Sequence, residues 1–297
     1  MAVCGLFDKG KTFCLNNLSG SNLPSSKKVN TKGLSFKGVE VDGSTKLILL
    51  DTAGSYSPVR VINDMSIVEK EATEMFILDL VFDLADYFIC VVNDFTSLDQ
   101  RYLDKITRSL QNSSRKMFRE VIVIHNLKEV ESQEVLEHVW KNQVIQIYGS
   151  GSTKRTRVAS INPITKALEE KHVIWFKTPF SRHVLLASQD SMLGLSLNPW
   201  AFSLIRYWLK AVFVPVDQSG SLLSNVIQAT QAKLNSYFKT SSFLSLSRTE
   251  KELVYRVVIK STQPNEGLPL RLPQISIDSS GMIVHFSLSH SFFWQDS

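Results

Sequence analysis

The chain reads as an α/β protein, a mainly parallel sheet with helices on both faces, and three observations carry that reading. Apolar runs of strand length alternate with longer stretches whose apolar residues recur at helical spacing. A glycine-rich string that opens a helix stands near the first residue. Polar residues able to do chemistry follow directly on apolar runs, where open parallel sheets bind ligands. Composition agrees, since 297 residues with 43% hydrophobic and 21% charged side chains suit a soluble globular chain with a sizeable core.

The elements follow in order. Met1-Ala2-Val3-Cys4 is shorter than the usual buried strand of about 5–6 residues, so the chain begins as if in mid-domain, as an N-terminal truncation would. Next comes Gly5-Leu6-Phe7-Asp8-Lys9-Gly10-Lys11-Thr12, a G-x-x-x-x-G-K-[ST] string. Its glycines let backbone N–H groups close around phosphates, its lysine reaches the β/γ-phosphates, and its threonine hydroxyl can ligate Mg²⁺. Asp8, Lys9, Gly10, Lys11, Thr12 and Phe13 are therefore the candidate phosphate-binding residues. Phe13, Leu15 and Leu18 give the following helix its apolar stripe, and Ser19-Gly20-Ser21-Asn22 ends it.

From Gly20 to Lys32 the chain is rich in Ser, Asn and Lys, the composition of a loop that closes over a terminal phosphate, and Thr31 is its candidate second hydroxyl on Mg²⁺. Strands are expected near 35–41 and 45–51. The second delivers Asp51-Thr52-Ala53-Gly54, a D-x-x-G string whose aspartate would hold Mg²⁺ through water and whose Gly54 N–H would meet the γ-phosphate. A helix follows over 66–85 (Ile67, Ala72, Met75, Phe76, Leu80, Leu84), then a strand near 86–93 and a helix over 97–111 (Leu98, Tyr102, Ile106, Leu110).

A strand near 119–126 ends at Asn126, and Glu129 stands three residues on. Guanine presents N1–H and N2–H₂ donors that one carboxylate can accept together; adenine has no such pair. Further strands are expected near 172–177 or 183–188, and the last core strand is His183–Ser188. Trp200–Phe213 is apolar at helical spacing. Pro215–Gly220 suggests a boundary, which divides the chain into a domain at 1–214, an amphipathic helix at 219–240 and a small β-rich segment at 250–297, incomplete at its end.

These four signals, in this order, resemble the P-loop GTPases of the TRAFAC type, over about residues 1–212. Thr31-Lys32-Gly33 taken with the rest is similar to the large-GTPase branch of guanylate-binding proteins and atlastins. The resemblance implies GTP/GDP and Mg²⁺ as cofactors and Mg²⁺-dependent hydrolysis of the γ-phosphate, with Lys11, Thr31 and Gly54 in the catalytic group. It further implies metal ligation by Thr12, Thr31 and Asp51, base recognition by Asn126, Lys128 and Glu129, a backbone contact to the base at the loop 189–198 with Ala187 and Ser188 as candidates, and a homodimer or a protein effector as partner. Two departures stand out: Leu127 occupies the family's lysine position, with Lys128 one residue late, and Glu129 replaces its aspartate. Ser55 stands where small GTPases carry a water-orienting glutamine, which leaves Lys9 and Arg60 as candidate transition-state cations. Two rivals follow, a degenerate pseudo-GTPase serving as an interaction module and, less well matched to Asn126–Glu129, an ATPase.

Other signals are weaker. The net charge of +5 comes from 33 basic against 28 acidic residues, and Lys154-Arg155-Thr156-Arg157 is its clearest cluster, read as a solvated loop without the aromatic residues of a nucleic-acid motif. No apolar run approaches the ~20 residues of a membrane span. Cys4, Cys14 and Cys90 lack C-x-x-C spacing and read as buried thiols of a reducing, cytoplasmic compartment.

Overall fold

The computed structural model describes residues 1–20, 34–40, 46–52, 54–56, 58, 66–93, 95–112, 120–212, 222–237, 244–248, 255–259, 274–278 and 281–285. Its elements run β1 (Ala2–Cys4), α1 (Lys11–Ser19), β2 (Leu34–Glu40), β3 (Lys46–Thr52), α2 (Ser66–Leu84), β4 (Phe88–Val92), α3 (Ser97–Asn112), β5 (Val121–Asn126) and α4 (Gln133–Val139). A π-helical stretch, Trp140–Ile145, joins α4 to α5 (Gln146–Tyr148). Then come β6 (Ser152–Ile161), β7 (Leu168–Lys177), β8 (Ser181–Leu186), α6 (Met192–Val212), α7 (Leu222–Tyr237), β9 (Leu244–Arg248), β10 (Tyr255–Ile259), β11 (Gln274–Asp278) and β12 (Gly281–His285). They fall into two compact units, Met1–Lys27 with Asp86–Asp217, and Lys28–Ala85 with Gln218–Ser297.

In the first unit β1, β4, β5 and β8 are parallel neighbours in that order, and β7 and then β6 extend the sheet antiparallel. Every residue of β4 and β5 is buried, which is why these strands read as unbroken apolar runs instead of alternating ones. Helices cover both faces. On β8, Leu185 packs with Leu136 and Val139 of α4, whereas Arg182, three residues earlier and so on the opposite face, lies over the Trp208 ring of α6 at 5.4 Å. The α/β class expected from the alternation is the class observed.

Local chemistry sets the helix ends. Gly20, with φ 64°, terminates α1, and Arg206 of α6 donates to the α1 carbonyls of Leu18 (3.3 Å) and Asn17 (2.5 Å), groups a helix C-terminus cannot satisfy internally. Phe13 meets Phe202 of α6 edge-on at 6.0 Å. On α3, Tyr102, Ile106 and Leu110 are buried as the stripe requires, each worth about 1.5–3 kcal/mol of transfer free energy, but Leu98 is exposed and Asp99 takes the buried place beside it.

Two local expectations are corrected. The basic stretch at Lys154–Arg157 lies within strand β6, not in a loop, and β7 begins at Leu168 instead of 172. The two strands form one long antiparallel pair, Ser152↔Lys177 to Ile161↔Leu168. Only one face of that pair is packed, so its apolar content is half that of β4 or β5 and the charged face hides the period of two.

In the second unit β2 and β3 pair antiparallel from Leu34↔Thr52 to Glu40↔Lys46, with Leu34, Phe36, Leu49 and Leu50 buried. α7, expected over 219–240 and found at Leu222–Tyr237, is tied to α2 by Lys233 and Asp83 at 3.5 Å. β9 to β12 form an antiparallel four-stranded sheet in sequential order. Three of these strands match the apolar runs of the tail; β9, with its serines, does not stand out in the sequence. Among the described residues no helix is long and apolar enough to cross a membrane.

Candidate functional site

The site grows from the junction of β1 and α1. Gly5, Asp8 and Gly10 all have positive φ, at 143°, 56° and 88°, so the loop between strand and helix needs residues that tolerate the left-handed region, and Gly10 opens α1 with no side-chain cap. Space demands glycine as well. A Cβ at Gly5 would stand 2.4 Å from the Val91 carbonyl oxygen, and one at Gly10 would stand 2.2 Å from Nδ2 of Asn126. Lys11 is buried at the start of α1 and its Nζ donates to the Leu6 carbonyl at 2.9 Å. Its ammonium is thus folded back over the loop it belongs to.

The end of β5 is hooked to this loop. Asn126 Nδ2 donates to the Lys9 carbonyl at 3.0 Å, and Lys128 Nζ donates to the Asp8 carbonyl at 2.9 Å while lying 3.7 Å from the Asp8 carboxylate. Leu127, between them, points the other way, into a core of Val130, Leu136, Val139, Val144, Phe176 and Leu185. A chain that buries residue 127 can present only residues 126 and 128 to the loop, which gives Leu127 its apolar identity and Lys128 its position. Glu129 is exposed beside them.

Two further residues belong to this arrangement and were not anticipated. Asn93, its amide oriented so that nitrogen faces acceptors, donates to the carbonyls of Lys9 at 3.0 Å and Asn126 at 3.2 Å. Asp99 is buried, accepts from Thr96 Oγ1 at 2.7 Å and Thr96 N–H at 3.0 Å, and lies 3.4 Å from Lys9 Nζ. Signals for both exist in the sequence: Asn93 is the first polar residue after Phe88–Val92, and Thr96-x-x-Asp99 is a capping pattern at the start of α3. Lys9, read as a candidate transition-state cation, is instead held by a buried carboxylate.

Beneath the Asn126 hook, His125 faces the core. Its Nε2 lies 3.0 Å from His183 Nδ1, and His183 Nε2 lies 2.7 Å from Ser181 Oγ, which in turn lies 2.7 Å from Thr178 Oγ1. Tyr148 lies against His183, ring centroids 4.3 Å apart and planes tilted by 50°. Burial pushes His125 down to about 4, against a smaller opposing pull from Asp99, and pushes His183 well below the usual histidine range, with the neighbouring His125 adding to it. Both rings are neutral at pH 7 and serve as packed, hydrogen-bonded core.

The remaining expected residues are placed as follows. Asp51 is the penultimate residue of β3 and is buried, and Gly54 is buried just after the strand, both in the second unit. Thr12 is half-buried in the first turn of α1. Thr31 and Arg60 lie outside the described residues. Ala187 and Ser188 spend their backbone N–H groups within the fold, on Asn198 Oδ1 at 2.9 Å and the Val130 carbonyl at 2.8 Å, which corrects their reading as base contacts. Cys4, Cys14 and Cys90 are free and buried, and burial pushes the Cys14 thiol up to about 12.

No family model matches the chain. Among curated proteins it is 36% identical over 213 residues to a heat shock protein of Dictyostelium discoideum, a match covering 69% of this chain and 31% of that protein. The chain thus spans about a third of that relative's length. Among solved structures, a crystal structure of Aquifex aeolicus Era bound to GDP.AlF4- aligns with a TM-score of 0.40 at 16% identity, over 72% of this chain and 57% of that one. A likeness at that level carries no argument, and the fold rests on the strand order and register described above.

Proposed function

We propose that the chain binds a guanine nucleoside triphosphate with Mg²⁺ and hydrolyses its γ-phosphate. One observation carries the reading: Asn126 donates to the Lys9 carbonyl, so the strand end suited to a base is bonded directly to the loop suited to phosphates. A nucleotide has the same two parts, joined by a sugar. The Lys11 ammonium would exchange the Leu6 carbonyl for phosphate oxygens, and the first turn of α1 would add its N–H groups and dipole. The Lys128 stem would cover the base and the Glu129 carboxylate would accept from guanine N1–H and N2–H₂.

Thr12, Thr31 and Asp51 are the groups assigned to Mg²⁺. A hydroxyl in the first helical turn and a carboxylate at a strand end are the hard oxygen donors this ion takes. Bound there, the ion would neutralise charge on the phosphates. The protein's own part is to hold the phosphates in line with an attacking water, through Lys11 and the Gly54 N–H. The finer likeness to guanylate-binding proteins and atlastins rests on Thr31-Lys32-Gly33, which lies outside the described residues. Asp99 gives Lys9 a positioning role, pinning the loop to α3.

The test is displacement of a fluorescent GTP analogue from the full chain by GTP and by ATP, with Mg²⁺ present, followed by phosphate release against a Lys11→Ala control. Displacement by GTP at far lower concentration than ATP, with release above the control, is the expected result. Equal displacement by both nucleotides would overturn the base assignment. Tight GTP binding without release would leave an interaction module in place of an enzyme.

A further inference from the structure

The β6–β7 ribbon has a design the nucleotide site does not use. β7 pairs with β8 only at Phe176↔His183 and Lys177↔Arg182, so most of this ten-residue pair, about 33 Å long by strand rise, overhangs the sheet. α6 supports one face. Ser160 Oγ donates to the Pro199 carbonyl at 3.2 Å, Trp200 Nε1 donates to the Glu169 carbonyl at 3.1 Å, and Lys171 Nζ sits 3.6 Å from the Trp200 ring centre. Val158, Val173 and Trp175 are buried on that face. The alternate residues Arg155, Arg157, Ala159, Ile161, Leu168, Glu170, His172 and Ile174 are all exposed.

The open face is sorted along its length. At the tip stand Leu168, Ile161 and Ile164, with exposures of 73%, 63% and 57%, the first two directly cross-strand from each other. The turn that presents them is fixed: Asn162 Oδ1 accepts from the Ile164 N–H at 2.8 Å, and the Asn162 and Lys166 N–H groups close 2.9 Å bonds with the carbonyls of Ala167 and Asn162. Around and behind the tip the charge is basic. Residues 152–177 hold six Lys or Arg against Glu169 and Glu170, a net +4 in a chain whose total is +5; on the open face and its turn these are Arg155, Lys166 and Arg157, the last paired with Glu170.

Basic residues on an end strand are a common guard against sheet-to-sheet pairing, but a guard does not require three large aliphatic side chains held out by an ordered turn. We infer that the β6–β7 ribbon is a membrane-surface finger, its Ile161–Ile164–Leu168 tip entering the interface of an anionic bilayer while Arg155, Arg157 and Lys166 meet the headgroups. An apolar end with a basic shaft fits a surface that is apolar inside and negative outside. A second copy of the chain fits poorly, because two such faces would set like net charge against each other, Arg155, Arg157 and Lys166 outnumbering Glu170 on both. The inference is independent of the nucleotide reading.

The full chain is mixed with phosphatidylcholine vesicles containing roughly 30% phosphatidylserine, an anionic fraction that gives a strong negative surface, and with pure phosphatidylcholine vesicles, and sedimented. Binding to the first and not the second is expected, weakened by raising salt. Ile164→Ser with Leu168→Ser should lower partition at least about tenfold, from the lost aliphatic burial, and Arg155→Gln with Arg157→Gln about tenfold, from the lost charge, with circular dichroism and melting unchanged in both. Ile164→Trp should shift its emission to the blue only with anionic vesicles, which reads tip insertion without removing the apolar group. No binding to either vesicle, equal binding to both, or full binding by a folded Ile164→Ser/Leu168→Ser variant would overturn the inference. So would capture of RNA at the expense of vesicles, or self-association abolished by the tip substitutions.

Discussion

The two sides of the Asn126 hook differ in how much of their structure is already made. On the phosphate side, Lys11, Asn126, Asn93 and Lys128 close hydrogen bonds onto the loop carbonyls of Leu6, Asp8 and Lys9, and Asp99 anchors Lys9. On the base side, Glu129 is exposed and the N–H groups of Ala187 and Ser188 are spent elsewhere. The loop suited to phosphates therefore carries its own order, while in the proposed reading base recognition would depend on one carboxylate and the stem of one lysine. Affinity should come from the first side and nucleotide choice from the second.

The largest break of that comparison is Lys11→Ala, which should cost GTP and ATP alike about a hundredfold or more in affinity by removing a charge-assisted contact at the phosphates; titration with either nucleotide reads it, and unchanged affinity would sink the assignment. Gly10→Ala comes next. It strains a φ of 88° and drives a Cβ to within 2.2 Å of Asn126, so about tenfold or more should be lost for both nucleotides, together with a lower melting temperature. Glu129→Ala should separate the two sides, weakening GTP by about tenfold and leaving ATP unchanged; equal losses would show that no base is read there. Asn126→Ala removes one neutral hydrogen bond to the loop and should weaken both nucleotides about fivefold.

The smallest effect at neutral pH belongs to His125. Its folded pKa, depressed to about 4 by burial, lies below the unfolded value near 6.5, so the unfolded chain binds more protons between them and stability falls as pH drops through that window. Above pH 6.5 the group has no influence. Chemical denaturation from pH 7.5 to 4 should show the loss, with His183 acting in the same direction, and a His125→Phe variant should show a shallower slope.

Much of this is legible in the sequence. The loop motif, the burial of β4 and β5, the helical stripe of α3 and the terminal polarity of β5 all follow from local pattern, because each is set by residues close together in sequence. Asp99 and Asn93 were not, since their partners Lys9 and Asn126 are distant along the chain, and a lone carboxylate at a helix start reads as a cap whatever else it holds. Strands β6 and β9 were hidden because a half-covered or serine-rich strand lacks the continuous apolar run that marks a buried one. The exposure of Leu98 came from Asp99 winning the inward position, which propensity alone does not reveal.

Adjacent residues on β5 point to opposite faces, and the chain uses both: His125 is sealed into the core while Asn126 holds the loop. Slip the strand by one residue and the two exchange places, putting an imidazole against the loop and an amide among apolar neighbours. The parallel pairings Val92↔His125 and Asn126↔Leu186 are what prevent it. A change far from the loop that loosened either pairing would therefore silence the site without touching any residue in it, and such a lesion would look catalytic in an assay though its origin was a miscounted strand.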